Sequence, residues 1–393
     1  MLRDMDRVVV VGAGIGGLAV SILLSRVGAH VTLVERSERP SEVGAALALQ
    51  ANGMAVLDRL GLLGRVAAES ARIDRMDIRT VTGRLLLSSA MPDFGGGLDH
   101  ALAVPRTVLH RLLLEAAMSS DGVETRFGCR VVRADADGSV TLDGSSQRAA
   151  PVTLRAGLVV GADGAGSAVR GTGGFVSRVS QGSTYVRTLV PGRLNGPLAE
   201  YWTPLGSFGH APLGDDATYV WAAADAAAVR DAVTRRDLPD FVRAWAAILP
   251  VAVELGRVAS FDDLLINTVR RVDCRRWFSG RLVLLGDAAH AMAPNLGQGA
   301  NSALVDAVIL ADALAHAPSV EDALSRYDER RRRTARRVQN LAGLLQRLCR
   351  MDNRLAVGVR DAVLARAGRL TSSSAAIRRA LLPDVETVRS ALR

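Results

Sequence analysis

Lysine is absent from all 393 residues, so the 49 side chains counted as lysine or arginine are arginines throughout. That absence excludes Schiff-base catalysis through an ammonium group and any Walker-type phosphate loop, both of which need a lysine. Cysteine is scarce: Cys129, Cys274 and Cys349 are odd in number and never closely paired. They offer neither a disulfide framework nor zinc-ligand spacing, so no metal site is expected, and a reduced, cytoplasmic setting fits. Long apolar runs are missing as well, which argues against a membrane-spanning helix. The opening MLRDMDRVVVVGAG has acids at its start and only four consecutive valines, and it reads as a buried strand, not a signal peptide.

Hydrophobic residues make up 49% and charged residues 23%, an ordinary globular balance over a length that suggests two or three domains. The net charge of +9 is unevenly placed. Between Arg326 and Arg393 stand 17 arginines and 6 acids, a surplus of 11, which leaves the preceding 325 residues at −2. Basicity belongs to the C-terminal segment. Aromatic residues do not interleave with those arginines, and no nucleic-acid-binding motif is present, so nucleic acid is not an expected partner.

Strand, glycine turn, helix and strand are predicted over 7–35, a helix over 54–70, and strands on either side of Thr82-Gly83. Val108, Leu109, Leu112, Leu113 and Ala116 recur at helical spacing. From about 182 to 269 the pattern is β-rich with a helix at 238–248; 281–286 is a buried strand, and helices fill most of the remainder. This order suggests two interleaved domains in one body.

Gly12-Ala13-Gly14-Ile15-Gly16-Gly17 is the first chemical signal. Alone it is weak, but it follows the strand Val8–Val11, opens a helix, and precedes a second strand that delivers Glu35. Gly12 suits a tight turn, Gly14 lets backbone approach a pyrophosphate, and Gly17 permits close helix–strand packing; Glu35 is placed to accept hydrogen bonds from an adenosine ribose. An acid there favours an unphosphorylated ribose, as in FAD or NAD. Two further strands end in acids: GLVVGADGAGSAVR delivers Asp163-Gly164, and RLVLLGDAAHAMAPNLGQGAN delivers Asp287 and then a proline–glycine loop. Three such strand ends imply one long ligand along the carboxyl edge of a sheet.

With these three motifs, supported by Gly44-Ala45 with Asn52, Val104-Pro105-Arg106, and Tyr327 with Arg330, the chain resembles class A flavoprotein monooxygenases over about residues 7–337. That group includes para-hydroxybenzoate hydroxylase, salicylate hydroxylase and zeaxanthin epoxidase. The resemblance implies an α/β fold with an α+β insert. It comprises a glutathione-reductase-like Rossmann FAD domain, an inserted, mostly antiparallel β-sheet substrate domain, and C-terminal helices. The implied division is 1–72, 100–178 and 270–330 for FAD, 73–99 and 179–269 for substrate, and 331–393 for the helical segment.

The resemblance also implies FAD as cofactor, NADPH or NADH as transient electron donor, and O2 with a small hydrophobic or aromatic substrate as partners. The expected reaction is hydroxylation or epoxidation through a flavin C4a-hydroperoxide, in secondary metabolism. Residues expected at the cofactor are Gly12, Gly14, Ile15, Gly17, Glu35, Arg36, Arg106, Asp163, Gly164, Asp287, Gly297, Gln298, Gly299, Ala300 and Asn301. Asp163-Gly164 also takes a part in NAD(P)H use, Asp287 holds the ribityl chain, and Gly297–Asn301 line the flavin ring. Pro294 and Gly297 belong to the catalytic loop. Val305-Asp306 departs from the Glu-Asp pair of many relatives, which puts a local helix contact in doubt.

On the substrate side, EYWTPLGSFGHAPLGDDATYVW offers Tyr201, Trp202, Phe208, His210 and Tyr219 as pocket candidates, with His210 as a base toward a phenol and Tyr201 beside it. His290 is expected to hydrogen-bond backbone. Val338, Leu341, Leu344, Leu345 and Leu348 form the expected apolar face of a C-terminal helix that packs on the body with its arginines outward. The competing reading is docking to an anionic membrane or an acidic carrier protein, by a monomer or dimer. Two functional rivals stand beside the monooxygenase: a flavin reductase saturating C=C bonds, of the geranylgeranyl-reductase kind, and a non-catalytic flavin-fold binding protein. Flavin halogenases on this fold need a lysine that the chain lacks.

Overall fold

The valine run at Arg7–Val11 becomes a central strand because both of its faces are covered, the usual condition of a parallel sheet. The computed structural model describes residues 7–39, 45–143, 150–194, 196–370 and 373–392; Gly44 lies outside them. Six strands line up in the order Phe278–Ser279, Leu282–Leu284, Leu158–Gly161, Arg7–Val11, His30–Val34 and Val123–Arg126. All pair in parallel except the short outermost one. The helix Ile15–Arg26 buries nearly its whole first two turns against this sheet and the helix Gln298–His316. A three-stranded antiparallel sheet (Arg130–Ala134, Ser139–Asp143, Val152–Arg155) extends this body.

A second large sheet has seven strands: Leu265–Cys274, Ser177–Pro191, Ala217–Ala223, Gly206–Pro212, Leu198–Thr203, Arg75–Thr80 and Leu85–Ala90. Its pairings are antiparallel except between Leu198–Thr203 and Arg75–Thr80. Alternation sorts its side chains onto two faces. Tyr201, Phe208, Ala222 and Val186 stand directly opposite one another in turn, and His210 lies two residues from Phe208 on the same side. That face is covered by the helices Ala227–Arg235 and Leu238–Ala246, with the Phe208 and Trp245 rings 5.4 Å apart. Glu200, Gly209, Trp221 and Arg187 make up the corresponding row on the other face. That face meets the strand Ala101–Pro105 and the long helix Val320–Cys349.

The C-terminal helices pack onto this assembly, as expected, and Leu345 and Leu348 of the expected face pack against Trp202 and Cys349, but the fully buried positions are other side chains. In Val320–Cys349 the buried row begins with Ala323 and Leu324 and continues through Tyr327, Asp328, Arg331, Ala335, Gln339, Ala342 and Cys349, while Leu341 and Leu344 are each 44% exposed. Polar residues go inward because each finds a partner there. Gln339 donates to the Val272 and Ala291 carbonyls, Asp328 accepts from the Trp277 amide, and Arg331 sits between two aspartates. A hydrophobicity pattern is blind to such compensation. The helix Ser373–Ser390 supplies one of those aspartates, Asp384.

Candidate active site

Three strand ends of the parallel sheet converge. Gly12 (φ +102°) makes the turn after the first strand; a Cβ there would lie 2.6 Å from the Ala162 carbonyl oxygen. A Cβ at Gly17 would come within 1.9 Å of the Gly12 oxygen, so helix and strand touch only because both residues are glycine. Gly14 differs: a Cβ there meets nothing within 4 Å. Its surface is free for close approach at the start of a helix that has no side-chain cap. Ile15 is buried at the first helical position. Glu35 accepts from the Ala13 amide at 2.8 Å and the Ser37 amide at 2.9 Å, and Arg36 beside it is exposed. His110 steadies the same loop with a 2.7 Å contact to the Ala13 carbonyl. The sequence reading missed it, although it lies one helical turn beyond Arg106.

Asp163 spends one oxygen on the Ala168 and Val169 amides, capping a short helix, and its other oxygen is buried without a partner. Burial pushes this carboxyl up. Gly164 (φ +79°) has nothing near its missing Cβ. Arg170 ties this motif to the next by donating to the Ala288 and Ala165 carbonyls, each at 2.7 Å. Asp287 stands at the start of the short helix Asp287–His290, reachable by water from one side and surrounded by protein on the others. That enclosure raises its carboxyl, while the charges of His290 and Arg106 pull the opposite way. Arg106 opens the helix Arg106–Met118 and is exposed.

The loop Pro294–Leu296 ends in Gly297 (φ +62°), which introduces the helix Gln298–His316 without a side-chain cap. Asn301 braces the loop: its amide donates to the Ala48 and Gly297 carbonyls at 2.8 and 2.7 Å, and its oxygen accepts from the Gln50 amide at 3.0 Å. Gln50 returns a 2.7 Å bond to the Leu296 carbonyl. Gly299 faces open space, and Ala300 packs partly against the core.

Beneath this loop runs a buried polar chain. His290 Nε2 lies 2.6 Å from Asp306, which also accepts from the Gly286 amide and from Arg331 Nε at 2.7 Å. Arg331 donates onward to Asp384 at 2.8 Å. Asn52 lies 3.5 Å from Asp384 and donates to Gln298 at 2.9 Å. His290 therefore pairs with a carboxylate, not with backbone, and stacks on Trp277 at 4.8 Å. Asp306, which matches the relatives' pattern beside the departure at Val305, is the hub. His290 and Arg331 overcome the effect of burial and hold its carboxyl down at about 2.

On the seven-stranded sheet the expected candidates divide. Tyr201 and His210 sit on the face covered by the outer helices, their rings 6.1 Å apart, with the His210 imidazole 3% exposed as a residue and pushed down to about 4 by burial. They are turned away from the loop because alternation allows only one face to look inward, and that face begins at Glu200. Glu200 neighbours Asn295 of the loop and accepts from the Trp202 indole at 2.9 Å. Trp221 and Tyr219 share its side, their rings 5.4 Å apart. Glu200 was absent from the sequence-derived candidates; the period-2 offset from Tyr201 was the available signal.

These residues fit FAD. The open Gly14, Gly164 and Gly299 and the uncapped starts of two long helices provide a cradle lined with free backbone N–H groups. Buried polar atoms without partners cluster nearby, at Asp163 Oδ1, Asn295 Oδ1 and Gln298 Nε2. Among the described residues no group of side chains could hold a metal ion, and no helix is long and apolar enough to cross a membrane.

Residues 5–342 match the FAD binding domain family. Aurachin C monooxygenase/isomerase of Stigmatella aurantiaca is 32% identical over 330 residues, covering 81% of this chain and 83% of that protein. 2-Heptyl-3-hydroxy-4(1H)-quinolone synthase of Pseudomonas aeruginosa is 30% identical over 378 residues, 91% of this chain and 93% of that protein. Among solved structures, the tetrameric form of 2-methyl-3-hydroxypyridine-5-carboxylic acid oxygenase superposes with a TM-score of 0.76 at 28% identity, covering 93% of this chain and 97% of that one. The chain belongs to the FAD binding domain family and is an FAD-dependent monooxygenase of the class A flavoprotein group.

Proposed function

We propose that this enzyme oxygenates a small, mostly apolar aromatic ring carrying an ionisable hydroxyl or ring N–H, with NADH or NADPH as electron donor. The observation that carries the reading is the sheet face that Glu200 shares with Trp221 and Tyr219, where Glu200 adjoins Asn295 of the loop and sets an acidic group beside aromatic side chains. Relatives named for quinolones and a hydroxypyridine oxygenase point to the same class of ring.

FAD, when bound, supplies the redox and oxygen-activating chemistry. The chain's own task is to hold and shield. Gly12, Gly14 and Gly17 bring the N-terminus of their helix to the pyrophosphate, Glu35 takes the ribose, and Arg106 and Asp163-Gly164 flank the phosphates. Asp287 holds the ribityl hydroxyls. Gly297, Gln298, Gly299, Ala300 and Asn301 present helix N–H groups to the ring, favouring negative charge there by roughly 0.3–1 kcal/mol or more when buried. Pro294 and the walls of the seven-stranded sheet exclude water. In this reading the two large sheets serve cofactor and substrate separately, divided as 1–72, 100–178 and 270–330 against 73–99 and 179–269.

The test is a panel of hydroxyquinolines, hydroxypyridines and phenols, scored by oxygen-dependent NADH and NADPH consumption together with product mass. A gain of one oxygen atom supports the reading. A saturated product without added oxygen would replace it with the reductase.

A cytoplasmic setting is supported by three free thiols, Cys129, Cys274 and Cys349. The helix Arg354–Leu370 favours a membrane surface over an acidic carrier: Leu355, Val359 and Val363 form an exposed apolar stripe beside Arg354 and Arg366. Co-sedimentation with anionic but not neutral liposomes is expected, lost in Leu355→Ser/Val359→Ser. Sedimentation velocity separates monomer from dimer.

A further inference from the structure

Glu200 stands where an acid is costly. Its cross-strand partner is Gly209, and a Cβ at Gly209 would lie 2.0 Å from the Trp221 indole, so that ring lies across the glycine and forms a flat wall beside the carboxyl. Trp202 donates to Oε1, and Asn295 of the cofactor loop adjoins the group. No arginine among the described residues pairs with it. Three strands across the sheet in the same row, Arg187 is engaged with Asn267 at 2.7 Å and lies over the Tyr185 ring. On the helix Arg354–Leu370, Arg360 lies over Trp202 and pairs with Asp361 at 2.7 Å. Tyr185 and Cys349, which also face Glu200, are both pushed up by burial and are therefore neutral near pH 7.

We propose that Glu200 is the base of the substrate site, taking the proton from the ring hydroxyl or ring N–H of an aromatic substrate held against Trp221 and the cofactor loop. The O–H or N–H bond breaks, its electron pair stays on the ring heteroatom, and the proton forms a new O–H bond at the Glu200 carboxylate. Nothing is oxidised in this step; it leaves an electron-rich ring, the form that an electrophilic oxygen attacks. The inference rests on the aromatic-substrate reading above. Burial pushes the Glu200 carboxyl up to about 7, with the Trp202 and Asn295 hydrogen bonds acting against it. A base is most effective near the working pH. Accepting the Trp202 hydrogen bond requires only an acceptor, which glutamine also supplies; a carboxylate is needed only where a proton moves.

The test uses FAD-loaded, full-length protein as wild type and as Glu200→Gln. Infrared difference titration should show a carboxyl C=O band lost with a midpoint near 7 in the wild type and missing in the variant. A wild type without such a band overturns the proposal. With p-nitrophenol and 4-hydroxyquinoline as probes, the wild type should hold the ionised, red-shifted form. The variant should bind within threefold yet keep the probe protonated, and oxygenate it about 10²-fold more slowly or worse. Glu200→Asp should recover part of that loss. Identical probe spectra and rates in wild type and Glu200→Gln overturn the proposal. Wild-type protein that takes up neither probe counts against the substrate reading instead, and the infrared titration still decides Glu200.

Discussion

Two enclosed carboxyls on either side of the cofactor loop ionise in opposite senses. Asp306 is fully buried, and burial works to raise it, yet His290 and Arg331 within hydrogen-bond reach bring it down to about 2. Glu200 has an indole and an amide for partners and is raised to about 7. Enclosure raises both; the presence or absence of a touching cation decides the outcome. Asp306 is thereby suited to hold structure together at every physiological pH, and Glu200 to exchange a proton.

The largest effect that would break this contrast comes from Arg331→Met. It strands Asp306 and Asp384 without their shared cation and should cost about 3–5 kcal/mol, read as a lower urea midpoint at unchanged slope. Adding Asp306→Asn and Asp384→Asn should recover much of the loss, because a neutral interior needs no arginine. The pH dependence has a definite sign. Asp306 titrates lower when folded, so its stabilisation is present above its ordinary value of 3.8 and fades as pH falls toward 2.

Glu200 has the opposite sign. Its folded value of about 7 exceeds the ordinary 4.5, so the wild type loses stability as pH rises between those values. Glu200→Gln should therefore be more stable above pH 7, by about 1–3 kcal/mol, the range for relieving one buried polar penalty. Melting temperatures of the two proteins should converge at about pH 4. A variant that is equally or less stable at pH 8 contradicts the contrast.

Asp287 is the intermediate case, open to water on one side and drawn on by both His290 and Arg106. Asp287→Ala should leave folding intact and weaken FAD retention by about tenfold, near 1.4 kcal/mol, measured by flavin fluorescence on dilution. His210→Gln is expected to do least to the reaction: NAD(P)H-driven oxygenation should stay within about twofold, since the ring faces the outer helices, away from the cofactor loop. A hundredfold loss would return His210 to the site.

The cofactor side was legible because its requirements are local. Gly12 and Gly17 are required where turn, helix and strand touch, Gly14 leaves open space at the helix start, and Glu35, Asp163 and Asp287 each lie close behind a strand end. Arg331 was not legible as a core residue: in a run of four arginines nothing local marks the one that will meet Asp306 and Asp384 from two other helices. Glu200 was missed for a related reason. Strand alternation separates it from Tyr201 without saying which face looks inward, and that depends on where Trp245 and Phe208 pack.

By itself, then, the sequence determined the parallel sheet, the glycine-turn motifs, the flavoprotein family and the exclusion of lysine chemistry, since backbone sterics and residue supply are properties of the chain alone. Tertiary structure decided which face of the seven-stranded sheet meets the loop, which arginine is buried, and which carboxyl keeps its proton. Those outcomes depend on charges and walls supplied from distant segments, and Coulomb interactions act through space without regard to chain order.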